Sequence, residues 1–144
     1  MDLIVISTHM NQYNNIIKKL QRYISSKNLI TETGSTKRNI ESLINRDKKL
    51  KKIFVLSHPI AGSEVSGPEF GNKELFKGKW CIILKDNNKS RKNLKKIDKF
   101  WKRLGSKIIF MNSVDHDKIF SITSHLPHLI AYNLLKLLSI FKRK

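Results

Sequence analysis

The sequence predicts an α/β protein, with a parallel sheet carrying helices on its faces and a long apolar helix after it. Two observations predict this. Short, continuous apolar runs alternate with stretches whose apolar residues recur every three or four positions. The connections between them are short, and several at the carboxyl ends of the apolar runs concentrate glycine, serine and histidine in an otherwise lysine-rich chain.

Taken in order, "DLIVIS" (2–7) has the pattern of a strand buried on both faces. Residues 10–27 place Tyr13, Ile16, Ile17, Leu20 and Ile24 at helical spacing and predict one amphipathic helix. "NLITET" (28–33) predicts a second strand, leading through Gly34 into a helix with Ile40, Leu43 and Ile44 on one side. "KKIFVLS" (51–57) predicts a third strand and "KWCIIL" (79–84) a fourth. Residues 89–105 form a helix carrying Leu94, Ile97, Trp101 and Leu104, stopped by Gly105, and "SKIIFM" (106–111) is a further strand. From Ser113, read as the N-cap, to Phe141 the chain predicts one long helix interrupted at Pro127. Its segment "LIAYNLLKLLSIF" is apolar on more than one side, so it either begins a second helical unit or is buried against a partner chain.

Composition narrows the possible functions. At 144 residues the chain has room for one domain and part of another. No apolar run approaches the roughly 20 residues that span a bilayer, and "MDLIVIS" carries an acid where a signal peptide carries basic residues, which predicts a cytoplasmic, non-membrane protein. Cys81, the lone cysteine, sits in "WCIIL" and reads as a small buried hydrophobe. The formal charge of +18 taken alone suggests nucleic acid. The basic residues, however, are spread through almost every polar segment, which argues against nucleic acid and leaves anionic small molecules compatible with the same field.

In an open parallel sheet, ligands bind beyond the carboxyl ends of the strands. Gly34 and Ser35 follow one predicted strand and His58 the next, so adjacent strands would set Ser35 and His58 on one crevice. Ser35 and Thr36 also open a helix whose free N–H groups favour an anion, with Lys37 adding charge, and Gly62 and Gly67 permit close backbone approach to a ligand. Plainer roles fit the same residues: Ser35 as an N-cap, His58 as a loop histidine, Glu64 as a solvated carboxylate. His125 and His128 share a helix face, but two histidines without a third ligand are weak evidence for metal. His9 and His116 carry little signal individually.

Together, "TGSTK" (33–37), "HPIAGSEVSG" (58–67) with "LFKGKW" (75–80) after it, and "HDKIFSITSHLPHLIA" (116–131) resemble, in order and spacing, the prephenate dehydrogenases, also called cyclohexadienyl or arogenate dehydrogenases. The resemblance covers nearly the whole chain. It implies that residues 1–111 are an incomplete Rossmann-type nucleotide domain and 112–144 the first long helix of an α-helical dimerisation domain. It also implies oxidative decarboxylation of prephenate, or of arogenate, in tyrosine biosynthesis, with NAD or NADP as oxidant. By the same resemblance His58 and Ser35 are catalytic, Ser63, Glu64, Ser124, His125 and His128 bind substrate, and Thr8, Gly34 and Ser35 bind cofactor.

The chain departs from the family pattern in several places. It contains no G-x-G-x-x-G turn for the cofactor pyrophosphate, it has Glu32 where the family usually has aspartate, and it has "STHM" (7–10) in place of a threonine-proline pair. The family's substrate arginine, expected beyond "SHLPH", is also missing. These departures imply a chain that works as a homodimer or with a complementing chain supplying the missing segments, or else a non-catalytic remnant.

Overall fold

The computed structural model describes residues 2–62, 68–85 and 90–141. Five strands form two hydrogen-bonded groups, β1 (Leu3–Ile6) with β2 (Leu29–Glu32), and β3 (Ser57–Pro59) with β4 (Trp80–Leu84) and β5 (Lys107–Met111). β1 and β2 pair in parallel with Ile6 opposite Glu32, and a parallel bridge from Ile30 to Phe54 joins β2 to the approach to β3. β4 and β5 are parallel, with Cys81 opposite Ile108. The α/β class and its parallel pairs are those expected from the sequence, and β3 and β4 add an antiparallel pair, with His58 opposite Ile82. No crossover helix is found among the described residues between them, only turns and a short 3-10 segment at Pro68–Phe70, and a chain that returns directly runs antiparallel.

The helices are α1 (Tyr13–Leu20), α2 (Arg38–Asn45), α3 (Lys48–Ile53), α4 (Arg91–Arg103), α5 (Ser113–Phe120) and α6 (Leu126–Phe141). α1 is shorter than expected. The chain turns after Leu20, and the Asn28 side chain accepts the Ser25 N–H at 2.7 Å to steer it into β2, while Ile24 still reaches the core.

The strand expected at 51–57 begins later. Residues 48–53 are helical because Asp47 caps them, its carboxylate accepting from Lys49 N at 2.7 Å and Leu50 N at 2.9 Å, and Leu50 and Ile53 face the core. α4 ends at Gly105, whose φ of +88° suits glycine alone at such a stop, and whose missing Cβ would lie 2.9 Å from Lys77 Cα.

Two apolar clusters fill the two sides of the sheet. Ile6, Tyr13, Ile17, Ile30, Ile40, Ile44 and Phe54 belong to one, and Leu29, Val55, Cys81, Ile83, Ile97 and Trp101 to the other. Trp101 is fully buried and its Nε1 donates to Ser57 Oγ at 3.1 Å, tying α4 to the strand that precedes the site.

The long terminal helix is one path with a fault in it. Asn112, rather than Ser113, is the N-cap of α5, its side chain accepting the Asp115 N–H at 2.8 Å. Residues Ser121–His125 then form a π turn immediately before Pro127. Proline lacks the N–H that an α-helix needs and crowds the preceding turn, and the wider turn accommodates both.

Candidate active site

β1, β2 and β3 run in one direction, so their carboxyl ends share an edge of the sheet. Thr8 follows β1 and is exposed, Gly34 and Ser35 follow β2, and His58 lies on β3. Ser35, His58, Ser124, His125 and His128 line a single cavity of about 430 Å³, with Phe120 and residues 59–62 as the remaining walls. That volume suits a small-molecule ligand. Ser35 and His128, far apart in sequence, are thus brought together by the strand ends and by the helix path through the π turn. Ser63 and Glu64 lie outside the described residues. Thr8 and Gly34 are not among the residues lining this cavity, and Gly34 is buried beneath the edge.

The His58 imidazole is held from α5. Its Nδ1 lies 2.9 Å from His116 Nε2, and His116 Nδ1 lies 2.8 Å from Asp117 Oδ1. Phe120 stacks on the His116 ring at 4.7 Å and tilts against His58 at 4.9 Å. Burial pushes His58 down to about 3, and the positive charge of Lys37 acts in the same direction, so at neutral pH the ring is uncharged. His116 is fully buried and also lowered by burial, with the hydrogen bond to Asp117 opposing. Burial works against the charge of Asp117, but its donors from Arg38 N, His116 and Lys37 N outweigh it and hold the carboxyl below its ordinary range.

Those backbone donors change the picture of the α2 amino terminus. Lys37 N and Arg38 N each donate to the Asp117 carboxylate at 2.9 Å, so the anion at this helix end is a side chain of the protein itself. Nor does the Lys37 side chain line the cavity, although its charge is felt at His58. Its side chain is fully buried, 2.5 Å from Glu32 Oε1 and 2.6 Å from the Ser57 carbonyl oxygen. Glu32 in turn accepts from Gly34 N at 2.7 Å and Ser57 N at 3.0 Å. Ser57 Oγ donates to the Glu32 carbonyl at 2.6 Å, so at the 2.8 Å contact with Thr31 the threonine hydroxyl is the donor. This network fixes the backbone immediately before Ser35 and before His58.

Sequence reasoning passed over His116 and Asp117, since their link to His58 spans 58 positions and no local pattern marks it. The one available signal was an adjacent His-Asp pair in the first turn and a half of a helix. Among the described residues no group of three or more histidine, cysteine or acidic side chains is arranged to hold a metal ion, and no helix is long and apolar enough to cross a membrane.

Parallel strands whose carboxyl ends present a neutral histidine and a serine to a small-molecule cavity define an α/β domain with its ligand crevice at the strand ends. The chain belongs to the prephenate dehydrogenase family: residues 1–110 match the family model for the prephenate dehydrogenase nucleotide-binding domain. It is 35% identical over 116 residues to the cyclohexadienyl dehydrogenase of Zymomonas mobilis, a match covering 81% of this chain and 39% of that protein. The crystal structure of prephenate dehydrogenase from Aquifex aeolicus superposes with a TM-score of 0.90 at 33% identity, covering 97% of this chain and 50% of that one. A second A. aeolicus structure, in complex with hydroxyphenyl propionate and NAD+, gives a TM-score of 0.87 at 34% identity, covering 94% and 47%. The chain therefore spans half or less of the length of these relatives.

Proposed function

We propose that this chain carries the substrate pocket and the nicotinamide-facing edge of an NAD(P)-dependent dehydrogenase that converts prephenate to 4-hydroxyphenylpyruvate in tyrosine biosynthesis. The observation that carries this reading is the uncharged His58 imidazole in a cavity shared with Ser35, Ser124, His125 and His128. A neutral imidazole can accept a hydrogen bond, and then the proton, from the ring hydroxyl of the substrate. A bound nicotinamide supplies the hydride acceptor for the carbon bearing that hydroxyl. As that C–H bond breaks, His58 takes the hydroxyl proton and the carbonyl forms. Cleavage of the bond to the ring carboxylate then releases carbon dioxide, its electron pair makes the ring aromatic, and the proton returns from His58 to the phenolate oxygen. Ser124, His125 and His128, which line the same cavity, would hold the polar groups of the substrate.

The residues present fit one end of the cofactor. Exposed Thr8 and Ser35, at the ends of neighbouring strands, suit the nicotinamide side, and buried Gly34 keeps that edge low. The first N–H groups of α2 are already bonded to Asp117, so this helix does not offer the phosphate site. Residues 112–141 fit the start of a helical dimerisation unit, because α6 exposes Leu129, Tyr132, Leu135 and Leu138. The test is an NMR titration of the isotope-labelled chain with prephenate and with hydroxyphenyl propionate. Resonances of His58, His125 and His128 should shift first. A titration that moves other residues and leaves these three unchanged refutes the reading.

A further inference from the structure

We infer that His116, itself fixed by Asp117, is a positioning residue that sets the tautomer of His58, keeping the proton on Nδ1 and leaving Nε2 as the acceptor available to the cavity. The inference deepens the reaction assigned above and rests on that reading only for its catalytic meaning; the tautomer follows from the hydrogen-bond geometry of two uncharged rings on a carboxylate.

The chain of donors and acceptors has one consistent solution for two neutral rings. An ionised Asp117 only accepts, and its Oδ1 lies 2.8 Å from His116 Nδ1, so that nitrogen carries the hydrogen. His116 Nε2 is then a lone pair. It faces His58 Nδ1 at 2.9 Å, so the hydrogen between them belongs to His58 Nδ1. His58 Nε2 is left bare. Burial favours the neutral form of both rings.

Each member is prevented from turning away. Asp117 is held by the Lys37 and Arg38 N–H groups at 2.9 Å, so its carboxylate cannot rotate without uncapping α2. His116 is fully buried and stacked on Phe120 with an interplanar angle of 26°, and it does not line the cavity. It therefore has no route to substrate and acts through His58. The direction of the hydrogen bonds decides what His58 can do. With Nε2 bare, the ring accepts a hydroxyl proton. With Nε2 protonated, it could only donate to that hydroxyl, and the proton would have nowhere to go as the carbonyl forms.

The test is long-range nitrogen–proton NMR on the full chain labelled at histidine, which reads the protonated nitrogen of each ring. The wild-type chain should show hydrogen on Nδ1 of both His58 and His116 at neutral pH. His116→Phe, which retains a ring against Phe120 and removes the acceptor, should move the His58 hydrogen predominantly to Nε2. A wild-type His58 protonated at Nε2 overturns the inference without recourse to any variant, and so does a folded His116→Phe chain whose His58 tautomer is unchanged. If the tautomers are as stated and prephenate leaves His58 undisturbed, the positioning stands and the reaction assigned above fails.

Discussion

Replacing Lys37 by methionine should destabilise the fold by about 3–5 kcal/mol, the usual cost of removing one partner from a buried ion pair. The ammonium lies 2.5 Å from Glu32 Oε1 and 2.6 Å from the Ser57 carbonyl, and neither charged side chain has any solvent exposure. Without it, Glu32 is left with uncharged donors such as the Gly34 and Ser57 N–H groups, which do not neutralise a full charge in the core. A domain stable by about 5–15 kcal/mol loses a large share of that. Glu32→Gln combined with Lys37→Met should be more stable than Lys37→Met alone, since no unpaired charge remains. Burial already raises the Glu32 carboxyl, so the single variant's deficit should also shrink as pH falls and Glu32 takes up a proton. Urea unfolding followed by circular dichroism, extrapolated linearly for the four chains of the cycle, measures each quantity. A Lys37→Met chain within about 1 kcal/mol of wild type, or a double variant less stable than it, would refute the argument from uncompensated charge.

Three further outcomes are expected. Gly34→Ala should cost about 1–3 kcal/mol in the same urea assay, because its Cβ would run into Met10 Sδ and lie 2.9 Å from Glu32 Oε2, a carboxylate too well held to move. Stability should fall with acidity before the carboxylates titrate. His58 and His116 have folded values below 6.5, so the unfolded chain binds more protons in the window below it; this contribution is complete above about pH 6.5 and is lost as pH falls toward the folded value of about 3. Lys37, His125 and Asp117 also face these rings, and replacing both histidines by asparagine should flatten the urea midpoint between about pH 7 and 5; an equally steep profile would count against the assignment. Finally, burial pushes the Cys81 thiol up to about 12, so a thiol-specific reagent at neutral pH should label it only on unfolding, and rapid labelling of the native chain would show the site to be open.

The elements legible in the sequence were those whose apolar pattern is set by the sheet itself. β1, β2, β4, β5 and α4 follow from runs such as "LIVI" and "WCIIL" and from Leu94, Ile97 and Trp101 on one helical stripe, but β1 is not buried on both faces as expected, since Leu3 and Val5 are exposed. The same reasoning lost α3, because "KKIFVLS" is both the end of a capped helix and the start of an extended segment, and Asp47 four residues earlier carried the deciding signal. At the site, placing Ser35 and His58 on one cavity needed only the strand directions. Lys37 was legible only as a charge. Its burial depends on Glu32, the last residue of a strand with every position inside, and periodicity cannot distinguish a charged residue turned inward to a partner from one turned to water. The His58–His116 contact is tertiary in the same sense, made by two elements 58 residues apart in the chain.

The π turn at Ser121–His125 acts as a phase shift in the helix. An α-helix advances about 100° per residue, so a turn that holds one extra residue rotates everything beyond it by about that angle relative to an uninterrupted helix. α5 is locked to α2 and β3 by Asp117 and His116, whereas His128 reaches the cavity from the other side of the fault. A lineage that deleted Ile122 or Thr123 from this turn would keep every cavity residue and still carry His128 round the helix, away from His58, while bringing a different set of α6 residues onto its outer face. Length in this five-residue segment thus couples the shape of the pocket to the identity of the apolar surface, and the two would change together in a single genetic step.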